Sequence, residues 1–132
     1  MAEKSLVSTL EQGRASEAYK YVLEAKKKLG NKEKEYKSYV KKLPVMIKTN
    51  GLGQTLAFVK AKNDTYALIY KQLEDWLKKC PNSVIRYDKD LVESVISLDS
   101  KEYRLATAEA LSLLSWLRRF ADGLIEGEGG DS

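Results

Sequence analysis

The chain is predicted to be all-α, a compact bundle of about six or seven helices with no significant sheet. Three observations point there. Apolar residues recur at i, i+3, i+4 and i+7 along most of its 132 residues. Helix breakers are scarce, with two prolines and eight glycines, and three of those glycines fall after residue 126. Between them lie runs rich in Ala, Leu, Lys and Glu, which favour helix over strand.

Glu3 to Leu29 carries Leu6, Leu10, Ala18, Val22, Ala25 and Leu29 on one stripe and forms the first helix. Gly30 supplies a left-handed residue at its end, and Asn31 opens the next element. Tyr36, Tyr39, Val40, Leu43 and Ile47 mark the second helix. There Pro44 either kinks the helix or restarts it, because proline lacks the backbone N–H and crowds the preceding turn. Asn50-Gly51 predicts a turn, and Gln54 to Lys62 a short helix with Leu56, Phe58 and Val59 inward. Asn63 or Asp64 caps a helix whose buried face is Tyr66, Ile69, Tyr70, Leu73, Trp76 and Leu77, ending at Cys80-Pro81-Asn82. Val84 to Asp88 is either a short extended piece or a loop. Asp90 with Glu93, and Asp99 with Glu102, have capping-box spacing. The second pair opens a long helix with an apolar stripe from Tyr103 to Leu124. Residues 1–124 are therefore expected to form one domain. Residues 125–132 are expected to be a flexible, acidic, glycine-rich tail with too little apolar surface to fold.

Composition narrows the chemistry. There is no histidine, the residue most often used for proton transfer near neutral pH and the commonest metal ligand. With one cysteine, Cys80, the sequence holds no Cys–His pair, no Ser–His–Asp triad and none of the usual zinc sites. Asp88, Asp90 and Asp99 read as caps and loop acids rather than metal ligands, and Cys80 as apolar filler. No catalytic activity, cofactor, metal or small-molecule substrate is expected. The opening residues lack the apolar core of a signal peptide, no stretch is long enough to span a bilayer, and the lone cysteine offers no internal disulfide. A cytoplasmic protein without membrane contact is expected.

Charge is segregated along the chain. Residues 26–62 hold eleven lysines against Glu33 and Glu35, a local excess of +9; the remainder, with twelve bases and seventeen acids, carries −5. Such a block attracts polyanions, although lysine is also the ordinary residue of a solvated helix face. Lysine meets phosphate as a point charge, so backbone tracking without sequence preference is the expected mode. Tyr36 and Tyr39 read as core rather than base-stacking residues.

The order Lys42-Leu43-Pro44, Ile47, Asn50-Gly51-Leu52-Gly53-Gln54, Leu56-Ala57-Phe58 and Ala61-Lys62 resembles the family of small Cmr subunits of type III-B CRISPR systems. Tyr66, Leu73 and Trp76-Leu77 continue the likeness, as do Asp99, Tyr103-Arg104, Ala106-Thr107, Glu109-Ala110, Trp116-Leu117 and Phe120-Ala121. The resemblance implies a non-catalytic small subunit of a ribonucleoprotein in antiviral defence. It implies stacking with further copies of itself as a minor filament beside the backbone subunits, with the large subunit, CRISPR RNA and target RNA as further partners. In that setting Lys41, Lys42, Lys48, Lys60 and Lys62 are the lysines expected to line the target groove. Asn50, Gly51 and Gln54 form either a structural helix junction or a contact turn. The competing reading is a protein-interaction scaffold with no direct RNA contact.

Overall fold

The structure, a computed structural model, describes the backbone of residues 2–127 and the side chains of residues 9–127. Its elements are α1 (Ala2–Leu29), a 3-10 turn (Gly30–Lys32), α2 (Glu33–Asn50), α3 (Leu52–Lys62), α4 (Asp64–Lys79), α5 (Leu91–Ile96) and α6 (Ser100–Leu124). No strand occurs among the described residues. The all-α expectation holds, but the helix count does not. Five long helices build the bundle rather than six or seven, and α5 is a six-residue connector. The difference arises at two places: the segment after Asp90 gives only the short α5, and Pro44 lies inside an unbroken 18-residue α2. Proline forfeits one bond there, yet Leu43 and Ile47, on either side of it, are both buried and hold the helix through that point.

Local signals set most boundaries. Gly30 takes φ +56 and Gly51 φ +89, conformations that favour glycine. The Gly51 N–H closes α2 on the Ile47 carbonyl (2.8 Å), and α3 begins directly after it, two residues earlier than the sequence suggests. Asn63 Oδ1 accepts the Tyr66 N–H at 2.9 Å and caps α4. Asp99 and Glu102 form the expected capping box at the start of α6. The pair Asp90 and Glu93 does not. The Asp90 carboxylate instead accepts from the Tyr70 hydroxyl (2.6 Å) and Lys60 (2.9 Å), and the Leu91 N–H is met by Glu74 at 3.0 Å. Residues 81–90 form an irregular loop, which settles Val84 to Asp88 as loop.

Contacts advance together along α1 and α6, from Arg14–Glu109 through Tyr19–Phe120 to Lys26–Leu124, so the two longest helices run parallel. Lys41–Asp122 and the Gly53–Tyr103 bond run in opposite order along the α2–α3 segment and α6, making α2 and α6 antiparallel. The core between them includes Tyr36, Leu43, Leu56, Leu73, Leu113 and Leu117, all buried. Tyr36 and Trp76 belong to this core, and Tyr39 packs at its edge. Ile125, expected to begin the tail, is buried as well, and Lys37 Nζ holds its carbonyl at 2.9 Å. The end of the expected tail, residues 128–132, lies outside the described residues.

Polar groups knit the α1–α4–α6 side. Arg14 forks onto both oxygens of Glu109 (2.6 and 2.9 Å) and donates to Glu11 at 2.6 Å. The indole of Trp76 donates to Glu109 at 2.8 Å, and that of Trp116 to Glu11 at 3.3 Å. Burial resists ionisation of Glu109, but the bonds from Arg14 and Trp76 prevail and keep its carboxyl below the ordinary carboxylate range. Gln72, also buried, accepts from Tyr36 (2.7 Å) and donates to the Tyr21 carbonyl (2.9 Å). Burial pushes the Cys80 thiol up to about 11, so it stays protonated and packs as a small apolar group.

Candidate nucleic-acid interface

Part of the lysine block turns inward. Lys26 Nζ donates to the Leu124 carbonyl (2.6 Å), and Lys37 Nζ to the carbonyls of Ile125 and Gly127 (2.9 and 2.6 Å). Both cations sit at the negative end of α6, where carbonyls lack helical partners. Lys28 pairs with Glu24 at 3.0 Å. Lys26 and Lys37 serve the fold, and only their long-range partners reveal it.

The five lysines singled out from the sequence divide in the same way. Lys41 is largely covered and pairs with Asp122 of α6 at 3.3 Å. Lys60 pairs with Asp90 at 2.9 Å. Lys42, Lys48 and Lys62 are exposed and make no ion pair with any described residue. At about 100° per residue, Lys42 and Lys48 lie about 120° apart on α2, and Lys60 and Lys62 lie on nearly opposite sides of α3. The five therefore do not share one strip.

A second grouping emerges in their place. Lys42, Met46 and Asn50 follow one another at i, i+4 and i+8 on α2, and Met46 and Asn50 border α3. Gln54, Phe58 and Lys62 do the same on α3. Between the two rows runs an open groove of about 360 Å³, lined by Met46, Asn50, Gln54, Thr55 and Phe58. Tyr39 and Tyr66 stack at 3.8 Å with nearly parallel rings at one end, and Phe58 meets Tyr66 edge-on at 5.5 Å. Asn63 donates to the Tyr39 hydroxyl at 3.1 Å. Lys62 Nζ lies 5.9 Å from the Phe58 ring centre. Phe58, expected to point inward, is 41% exposed.

The turn at the head of the groove acts as a structural helix junction. Its glycines are structural: the Tyr103 hydroxyl oxygen accepts the Gly53 N–H at 2.8 Å, and a Cβ on Gly51 would sit 3.1 Å from that same oxygen. Leu52 and Leu56 are fully buried beneath. Asn50 and Gln54 are exposed to solvent.

No group of three or more His, Cys, Asp or Glu is arranged to hold a metal among the described residues. No described helix is long and apolar enough to cross a membrane. Fold and site together define a small all-helical bundle with an open groove on one face, lined by Met46, Asn50, Gln54, Thr55 and Phe58, with Lys62 beside the Phe58 ring. Residues 10–124 match the family model described as CRISPR-associated protein (Cas_Cmr5), and the chain belongs to that family. It is 33% identical over 114 residues to a protein of Thermus thermophilus named CRISPR system Cmr subunit Cmr5, covering 85% of this chain and 92% of that one. The crystal structure of a CRISPR-associated Cmr5 family protein from Thermus thermophilus superposes with a TM-score of 0.74 at 32% identity. The match covers 88% of this chain and 97% of the other.

Proposed function

We propose that this chain is a non-catalytic structural subunit of a Cmr ribonucleoprotein. In this reading it stacks as a minor filament beside the backbone subunits and helps retain target RNA in antiviral defence. The observation that carries the reading is the coincidence of family membership with three exposed lysines, Lys42, Lys48 and Lys62, that make no ion pair with a described residue. Such cations on a rigid bundle need no rearrangement to meet phosphate, and each neutralised phosphate releases condensed counterions. Lysine's point charge suits holding a backbone of any sequence.

Lys41 and Lys60 drop to secondary roles, since an RNA phosphate would have to displace Asp122 or Asp90 to reach them. The subunit supplies surface while bond cleavage belongs to its partners. The test is purification of the tagged chain from its native cell under gentle conditions. The expected result is co-purification of other Cmr subunits and of short RNAs sharing a repeat-derived end. Recovery of the chain alone, free of RNA, would contradict it. Recovery of the subunits, with RNA retention indifferent to Lys42, Lys48 and Lys62, would favour the scaffold reading.

A further inference from the structure

We propose that the α2–α3 groove seats an unpaired nucleobase against the exposed ring of Phe58, with Lys42 and Lys62 taking the neighbouring phosphates and the Asn50 and Gln54 amides meeting base edges. This rests on the RNA-holding reading above and adds what that reading lacks, a preference for unpaired nucleotides over duplex.

Packing alone does not account for Phe58. Its α3 neighbours Leu56 and Val59 are fully buried, while Phe58 stands 41% exposed, forms a T-shaped pair with Tyr66 and has the Lys62 ammonium over its ring, a group that a phosphate would draw aside. The other exposed rings have different settings: Tyr19 packs edge-on against Phe120, and Tyr87 sits on the loop beside the Arg86–Asp88 pair. Phe58 instead sits midway along the α3 row and lines the groove between two rows of residues that suit a nucleotide. An aromatic face offers a sequence-tolerant platform for any base, and lysines on either side give the backbone its path. Exposed amides at the far end present both donors and acceptors. In the groove wall, Thr55 is buried and its hydroxyl has no hydrogen-bond partner among the described residues. The volume, about 360 Å³, falls within the range of small-ligand clefts. Tyr39 and Tyr66 are already stacked on each other, so they brace the platform and leave Phe58 as the ring that can receive a base.

The occupant is a nucleotide rather than a neighbouring helix because each helix bordering the groove carries an exposed lysine, Lys62 beside the Phe58 ring and Lys42 one turn before Met46, and an apolar helix gains nothing from either. The experiment is a fluorescence anisotropy titration of the full chain at low salt. Three labelled RNAs of equal length are compared: oligouridine, the same strand with abasic sites, and a duplex. Wild type should bind oligouridine most tightly, in the weak range expected of an isolated subunit. Phe58→Ala and Phe58→Leu should each weaken oligouridine binding by about tenfold, the scale of one lost base stack. Both should leave the abasic strand and the slope against salt unchanged. Leu keeps the apolar bulk without a flat face, so its loss cannot be attributed to misfolding, and Phe58→Trp should restore or tighten binding. Lys42→Glu with Lys62→Glu should weaken all three RNAs and flatten the salt slope.

The stacking proposal is overturned if Phe58→Leu binds oligouridine like wild type, if Phe58→Trp fails to match it, or if the abasic strand suffers equally. If the lysine pair keeps its effect while the Phe58 variants have none, stacking fails and the RNA-holding reading stands. If wild type binds none of the three RNAs at low salt, or neither set of variants changes binding, both fail.

Discussion

The α1–α4–α6 side and the α2–α3 face both carry charged, polar and aromatic residues and use them in opposite ways. On the first, Arg14, Glu109, Glu11, Trp76 and Trp116 are bonded to one another, and the polar atoms are spent on holding three helices in register. On the second, Lys42, Lys62, Asn50 and Gln54 are exposed to solvent beside an exposed ring. Loosely paired surface charges contribute little to stability, whereas breaking a part-buried, forked pair with charge-assisted hydrogen bonds costs more. One side is therefore where mutations should unfold the protein, and the other where they should leave it folded and change what it holds.

The largest effect is expected at the clasp. Glu109→Ala removes the forked partner of Arg14, which keeps Glu11 alone, and leaves the Trp76 indole without its acceptor, and should cost about 3 kcal/mol, read as a lowered denaturation midpoint. A midpoint within experimental error of wild type would erase the contrast between the two sides. Next comes Gly51→Ala. At φ +89, with the Tyr103 hydroxyl 3.1 Å from the new Cβ, about 2 kcal/mol should be lost in the same assay. Asn63→Ala, which removes the α4 cap, should cost about 1 kcal/mol. Lys42→Ala should stay within about 0.5 kcal/mol of wild type, as expected of a surface residue without an ion pair.

Acid should probe the clasp. Glu109 titrates below its ordinary 4.5 when folded, so the unfolded chain binds its proton more readily as pH falls. Its stabilisation is complete above the ordinary value and is lost as pH drops through the folded one. Thermal midpoints of wild type should decline below about pH 4.5, and Glu109→Gln should start lower with a shallower decline over that window. An equal acid slope in both would show that other carboxylates dominate.

Much of the fold was legible in the sequence because its determinants are local. Asn63, Asp99, Glu102, Gly30 and Gly51 each act on their own turn, and the apolar spacing named most core residues, Tyr36 and Trp76 included. Asp90 misled for the opposite reason: its spacing to Glu93 suits a cap, but Tyr70 and Lys60, distant in sequence, claim its carboxylate. The site divided along the same line. The excess of lysine was visible, yet which lysines were available depended on partners far along the chain, Asp122 for Lys41 and Leu124 for Lys26 being two of them. Helical phase holds the remaining signal. Lys42 with Asn50, and Gln54 with Lys62, are each two helical repeats of four apart, and Phe58 sits midway along the second row.

The most direct measurement is the salt dependence of target-RNA retention by the assembled Cmr complex carrying Lys42→Glu, Lys48→Glu and Lys62→Glu, set beside one carrying Lys41→Ala and Lys60→Ala. The first complex should assemble normally, hold RNA more weakly, and show a log–log slope shallower by about 2 per engaged subunit, while the second stays close to wild type. Equal slopes in wild type and both variants would mean that the three exposed lysines face something other than RNA.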